Sequence, residues 1–303
     1  EVAGAAAFGE GTEIRIELAG IGESEGRFVF VKAGALTGTE GIGLTDESLP
    51  FLFKGALESD EDLGEVAVVI ERKEASDLGL NGSETRAYES IMDALDNDAD
   101  VADVFLAVED GNAFRSTFRQ MLPDHAGGAF DTVTQGSRSI GRFLMDANAP
   151  VARRDGWSFW LQQVAWGSSK DLGDTAAYDI SGWGASAGGE ILAGDVGSFG
   201  LTLAYLSGKD EDGETDNAVR ADQIELAGHW RGHWGGLRAH ARASAATIDF
   251  EGTRRFTGLR AGDIVGREAV GNWDGRLYSA AAGASYEIGF GRFSLRPIAA
   301  LDY

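Results

Sequence analysis

Between residues 198 and 243 the chain alternates in character with a period of two, and no other feature constrains its fold as strongly. Phe199, Leu201, Leu203 and Tyr205 fall on one side of an extended segment, with Ser198, Gly200, Thr202 and Ala204 on the other. In the next segment Ile224, Leu226 and Trp230 oppose Gln223, Glu225 and His229. In a third, Leu237, Ala239, Ala241 and Ala243 oppose Arg238, His240 and Arg242, so three basic side chains share one face. Such strands have a greasy side and a wet side.

The pattern recurs after Pro150 in segments of about ten residues, the length that crosses a bilayer as a tilted strand. Three connections are short: "AGDVGS" (193–198), "HWGG" (233–236) and "GFGR" (289–292). The regions near 167–180, 207–220 and 251–274 read as long polar loops. Short turns at one end and long loops at the other is the plan of an outer-membrane barrel. All seven tryptophans (Trp157, Trp160, Trp166, Trp183, Trp230, Trp234 and Trp273) fall in this half and are assigned to strand ends, where aromatic girdles sit. No stretch approaches the roughly 20 apolar residues of a spanning helix, which excludes a helical membrane protein but not a barrel. The 44 glycines against 4 prolines suit tight hairpins. The absence of cysteine rules out disulfides and thiolate metal sites. A formal charge of −23 repels phosphate backbones, so nucleic acid is not expected as a partner.

Upstream the signal differs. "TEIRIELAG", "GRFVFVKAGALTG", "LPFLFKGAL" and "EVAVVIERK", within residues 12–75, are short β runs whose spacing suits a β-solenoid. From 81 onward the period becomes helical, in "NGSETRAYESIMDALDND", "VADVFLAVE", "NAFRSTFRQML" and "AFDTVTQGSRSIGRFLMD"; Pro123 and Pro150 end the last two. The final helix mixes polar Thr134, Gln135, Ser137 and Arg138 with Phe130, Val133, Ile140 and Phe143, as a wet enclosure would require. The chain begins Glu1-Val2-Ala3-Gly4, without a signal segment, and is expected to be processed or excised from something longer.

From about Leu36 to Tyr303 these pieces together resemble the C-terminal part of an autotransporter, a type V secretion protein. The junction "ERKEASDLGLNGSETRAYESIMDAL", the "MLPD" at 121–124, and the strands "GWSFWLQQVAWGSSKD", "YDISGWGASAGGEI", "GSFGLTLAYLSG" and "GRFSLRPIAALDY" carry the likeness. The resemblance implies a twelve-stranded barrel with a helix in its lumen. Strand starts near 157, 180, 197, 220, 236, 274 and 293 make about seven strands, so the expected fold is mainly β: an incomplete antiparallel barrel preceded by short helices, including the lumen helix, and a solenoid remnant. The divisions expected are 1–80 for the end of the passenger, 81–127 for a helical junction, 128–150 for the linker helix and 151–303 for the N-terminal part of the barrel. The implied function is to carry the chain's own passenger segment to the bacterial surface from the outer membrane, without catalysis or cofactor. Partners implied are outer-membrane lipid, the barrel-assembly machinery and the passenger itself. Cleavage of the passenger stays open, since no convincing Asn-Asn pair is found.

The lumen-facing candidates are Glu190, Gln223, Glu225, Arg238, His240 and Arg242, with Gln135, Arg138 and Arg142 on the linker helix. Arg238 and Arg242 would pair with Glu190, Glu225 or acids of the helix, as structural contacts. Two rivals belong to other classes: an all-β adhesin, which would bury its greasy face in a sandwich, and a serine esterase. Gly184-Ala185-Ser186-Ala187-Gly188 has the spacing of a nucleophile elbow, with "HAGG" (125–128) as an oxyanion loop. Such an elbow needs a strand, a turn and a helix, whereas another alternating strand follows Ser186. Gly182, Gly184, Ser186 and Gly188 read instead as small lumen-facing positions that leave room for the helix, with Trp183, Ala185, Ala187 and Ile191 facing lipid. His229 with His233, the "DNDADV" of 96–101 and the "KDEDGETD" of 209–216 make no convincing metal site.

Overall fold

The computed structural model describes residues 2–45, 49–145 and 156–303; Pro150 and the start expected for the barrel at 151 lie outside the described residues. Six strands come first: β1 (Val2–Ala7), β2 (Thr12–Ile14), β3 (Gly26–Thr37), β4 (Ile42–Leu44), β5 (Phe53–Asp60) and β6 (Glu65–Arg72). β1 pairs parallel with β3 and β2 parallel with β4, with Ala5 opposite Ala35 and Thr12 opposite Ile42. Both pairs share one 30-residue offset, as successive coils of a solenoid do. The chain then turns antiparallel, and β6 is sandwiched between β3 and β5. That central place explains the unbroken run Val66-Ala67-Val68, all buried.

Four helices follow: α1 (Gly82–Leu95), α2 (Ala99–Leu106), α3 (Gly111–Arg119) and α4 (Gly128–Met145). The Asn81-Gly82-Ser83 triplet starts α1 by a capping box: the Asn81 side chain accepts from Glu84 N at 2.9 Å and the Glu84 carboxylate accepts from Asn81 N at 2.7 Å. Asp98 and Asp110 cap α2 and α3 more simply, their side chains accepting from backbone N–H groups of the first turn. Phe105, Phe114 and Phe118 are fully buried with Leu52, Phe53 and Ile70, so the early strands and α1–α3 build one core. Among the described residues no helix is long and apolar enough to cross a membrane, which says nothing about strands.

The second half is one antiparallel meander: β7 (Trp157–Lys170), β8 (Tyr178–Leu192), β9 (Ser198–Glu211), β10 (Ala218–Trp234), β11 (Leu237–Arg260) and β12 (Asp263–Tyr286). A small hairpin of β13 (Ile288–Phe290) and β14 (Phe293–Leu295) follows, and β15 (Ile298–Asp302) returns to pair with β12. The seven-stranded sheet has β7 and β15 at its edges, and these do not pair with each other among the described residues. The strand expected near 293 thus begins at 298.

The region 251–274 departs most from the sequence reading. It is not a loop: β11 and β12, each 24 residues long, continue into it and turn on Ala261 and Gly262, whose φ angles are +49° and +94°. Such a two-residue mirror-image turn matches the twist of the strands it joins. Beyond the last β10 pair, Ala218 with Thr253, residues 254–260 pair only with 263–269. The hairpin tip therefore stands clear of the sheet. The other two connections at this end are shorter than expected as well, spanning only 171–177 and 212–217.

Candidate functional site

The sheet has two unlike faces because successive side chains of a strand point to opposite sides. On one face α4 lies against β7, β8, β9 and β10. Its buried positions Thr132, Val133, Gly136, Ser137, Ile140 and Leu144 recur at helical spacing and meet Val164, Trp166, Ala204, Leu206, Ala221 and Ile248 of the strands. The helix is thus sided, with Arg138 and Arg142 exposed and Gln135 half-buried away from the contact. Its two ends are tied. Tyr178 donates to Asp131 at 3.1 Å in the first turn, and Arg231 donates to the carbonyl of Leu144 at 3.4 Å in the last. Each charge suits the end of the helix dipole it meets. At 1.5 Å per residue, the 18-residue helix reaches about 27 Å from the long-connection end of the sheet to its short-turn end.

The inner face carries the charged groups. Glu190 accepts from Arg231 at 2.6 Å and faces His229 Nε2 at 3.3 Å. Across the sheet Arg242 is paired with Glu225, which also accepts from Gln223 at 3.2 Å. Glu190, Gln223, Glu225 and Arg242 are all buried on this face, and the register Glu225–Ala246 and Gln223–Ile248 sets them along β10 beside Arg242 of β11. Arg238 and His240 lie on β11 nearer the short turn, half-buried and apart from that pair. His229 and Arg231 belong to the cluster too; their odd-numbered parity with Gln223 and Glu225 was the signal that marks them. His233 is exposed at the strand end, and no group able to hold a metal ion occurs among the described residues.

Three tryptophans lie on the inner face, unlike the girdle assignment. Trp160 and Trp166 share the inner parity of Gln162 and Val164, and Trp160 stands edge-on to His229 with centroids 5.4 Å apart. Trp273 stacks on Phe250, its partner across β11 and β12, at 5.3 Å on the same inner side. The glycines of β8 serve these neighbours in the first instance, not α4: a β-carbon on Gly182 would overlap the Trp166 ring, and one on Gly188 would overlap Trp160. Gly184 has the same relation to Leu206, with the Tyr205 carbonyl at 2.6 Å. Close approach by α4 depends on its own Gly136 and on Gly208 of β9, which faces Thr132. Ser186 is buried in mid-strand between these glycines, so no nucleophile elbow is formed.

The other face is apolar and open. Phe159 and Leu161 are 78% and 82% exposed, and Leu201, Leu203, Ile224, Leu226 and Tyr278 are exposed beside them. A sandwich would cover this face; none of the described residues does. Toward the long connections it ends abruptly. Asp222, Asp249 and Asp274 stand opposite one another on β10, β11 and β12, and Arg220 and Glu251 form the next outward row. From Trp230 to Asp222 the apolar stretch of β10 runs eight residues, about 27 Å along the strand or roughly 21 Å at the usual tilt, close to the ~25 Å band of such barrels. The Asp249 row therefore marks where hydrocarbon gives way to water, and the hairpin tip extends past it.

A helix against the polar face of an antiparallel sheet whose other face is apolar and uncovered defines a class: membrane proteins that cross with strands. Residues 159–303 match the family described as the autotransporter beta-domain. No curated protein and no solved structure matches the chain. Over residues 159–303 the chain is similar to an outer-membrane translocator domain of type V secretion.

Proposed function

We propose that this chain is a non-catalytic translocator that carries its own N-terminal segment to the cell surface. The observation that carries the reading is the sidedness of β7–β12, with apolar side chains open outward, a charged row capping them, and α4 against a polar inner face. Hydrocarbon requires that backbone groups be paired within the sheet, and β8–β11 each have a paired neighbour on both sides. Residues 1–80 serve as the end of the passenger, 81–127 as its junction, 128–150 as the linker helix and 151–303 as the N-terminal part of the barrel. α4 carries the connection, since it leads from the end where α1–α3 sit to the short-turn end where β7 begins. Outer-membrane lipid against the Phe159–Leu161 face, and the assembly machinery that inserts such barrels, are the partners this reading requires.

Spin labels placed singly along 221–230 in the lipid-reconstituted protein test it. Labels at the even positions 224–230 should relax with dissolved oxygen, and labels at the odd positions, buried on the inner face, should be shielded from it. An inverted or uniform pattern would overturn the reading.

A further inference from the structure

We propose that the β13–β14 hairpin lies in the headgroup layer of the periplasmic leaflet, with its apolar face on the acyl chains and Arg292 on the phosphate of an anionic phospholipid. The inference rests on the translocator reading, which makes the short-turn end of the sheet the periplasmic one, and adds a specific lipid contact to it.

The hairpin is built with one greasy face. Ile288 stands opposite Leu295 and Phe290 opposite Phe293, while Gly289 and Ser294 form the row between them. Successive rows of a hairpin face opposite ways, so four apolar side chains share one side and two small residues the other. Gly291 takes a φ of +64° as the first residue of the two-residue turn, where the backbone must be left-handed, and Arg292 is the second. Phe290, Phe293 and Leu295 are 61%, 80% and 59% exposed, and the two strands form a sheet of their own. A pair of three-residue strands is marginal in water unless its apolar face is covered. None of the described residues covers it.

Height selects lipid as the cover. Trp234, Leu237 and Tyr286 stand in one row across β10, β11 and β12, twelve residues along the strands from the row of Asp222, Asp249 and Asp274 that ends the apolar belt. That distance is about 41 Å along the strands, or roughly 31 Å at the usual tilt, against a hydrocarbon band of ~25 Å. The chain therefore leaves the sheet just past the hydrocarbon, at the boundary into which amphipathic elements sink an apolar face. The exposed Trp234 and Tyr286 make the hairpin continuous with the lipid-facing belt.

Charge selects the headgroup. Arg296 is paired with Glu287, whereas Arg292 at the tip is exposed and has no ion pair among the described residues. Residues 286–297 thus carry a net positive charge within a chain of formal charge −23. A guanidinium meets a phosphate with two parallel N–H donors. One basic residue at a bilayer surface favours anionic lipid by about fivefold.

The chain has no cysteine, so a single introduced cysteine carries a fluorophore at a known place. Leu295→Cys and Ser294→Cys label the two faces of the hairpin, and Leu226→Cys labels the middle of the belt. Labelled chains that give the heat-modifiable gel band of an assembled barrel are placed in nanodiscs of phosphatidylcholine and phosphatidylglycerol, with nitroxide quenchers high or low on the acyl chain. The label at 295 should lose its fluorescence chiefly to the high nitroxide, the label at 294 should lose far less, and the label at 226 should lose it to the low one. With the high nitroxide carried on phosphatidylglycerol, quenching at 295 should half-saturate at about fivefold less lipid than when it is carried on phosphatidylcholine. Arg292→Gln should remove that preference, and Arg254→Gln, at the opposite end of the sheet, should keep it. Equal quenching at 294 and 295, or a preference that is absent or survives Arg292→Gln, overturns the proposal. So does a label at 295 shielded from every nitroxide in a chain that sediments as a dimer, which assigns the face to a second copy. A label at 226 untouched by the low nitroxide overturns the translocator reading instead.

Discussion

A β-carbon on Gly136 of α4 would sit 3.0 Å from the indole of Trp166 on β7, and that indole in turn fills the place of a side chain on Gly182 of β8. Helix, strand and neighbouring strand are therefore stacked through one ring between two glycines. The ring has no room to retreat, which decides what substitution does on either side of it.

At Gly136 two effects compete. Alanine gains about 1 kcal/mol of helix propensity, but overpacking a closed contact costs about 1–3 kcal/mol, so the crowding prevails. Gly136→Val adds two more methyl groups against the same ring and should lower the temperature at which the heat-modifiable band is lost, by more than Gly136→Ala. A Trp166→Ala background should relieve both, and failure of that relief would show that the ring is not the obstacle.

Glu225 and Arg242 are a buried ion pair on the inner face. Removing one partner strands the other charge, at about 3–5 kcal/mol, whereas replacing both by apolar residues of similar volume is often neutral. Arg242→Met alone should therefore destabilise the barrel strongly, and Arg242→Met with Glu225→Leu should recover most of the loss. A double-mutant cycle read from urea midpoints of the detergent-folded chain measures the coupling.

The contact between the start of α2 and the β11–β12 hairpin, where Arg267 meets Asp98 and Asp100, titrates with acid. Hydrogen bonds from Arg267 hold the Asp98 and Asp100 carboxyls below the ordinary carboxylate range and raise Arg267. A depressed carboxyl lends stability that is complete above its unfolded value, near pH 4, and that fades as pH falls through the lower folded value. Helix melting followed at 222 nm should stay level from neutral pH down to about pH 4 and then drop. Arg267→Ala should flatten that acid limb, and an unaltered limb would assign it to other groups.

Ser186 separates the translocator from the esterase. Its hydroxyl is buried and has no hydrogen-bond partner in the protein, in the middle of β8. Ser186→Ala removes a polar atom that gains nothing, so stability should hold or rise by a few tenths of a kcal/mol. Hydrolysis of short-chain esters by the purified chain should be the same for both forms; a large loss in the variant would restore the nucleophile reading.

The sequence alone settled what the local backbone settles. Alternation gave the faces of β8, β9 and β10 because the pleat reverses every side chain, and the spacing of Ala87, Ile91, Ala94 and Leu95 gave α1 because a helix repeats every 3.6 residues. What it left undecided depended on contacts far along the chain. The stretch 251–274 is polar enough to read as a loop, and it is held as strand by register with itself and by helices more than 130 residues upstream that bury Phe256 and meet Arg267. Trp160 and Trp166 carried the parity of the inner face in their numbering, yet an aromatic ring suits a membrane interface and a packed lumen equally well. Only the glycines facing those rings, brought near by the folded sheet, chose between the two.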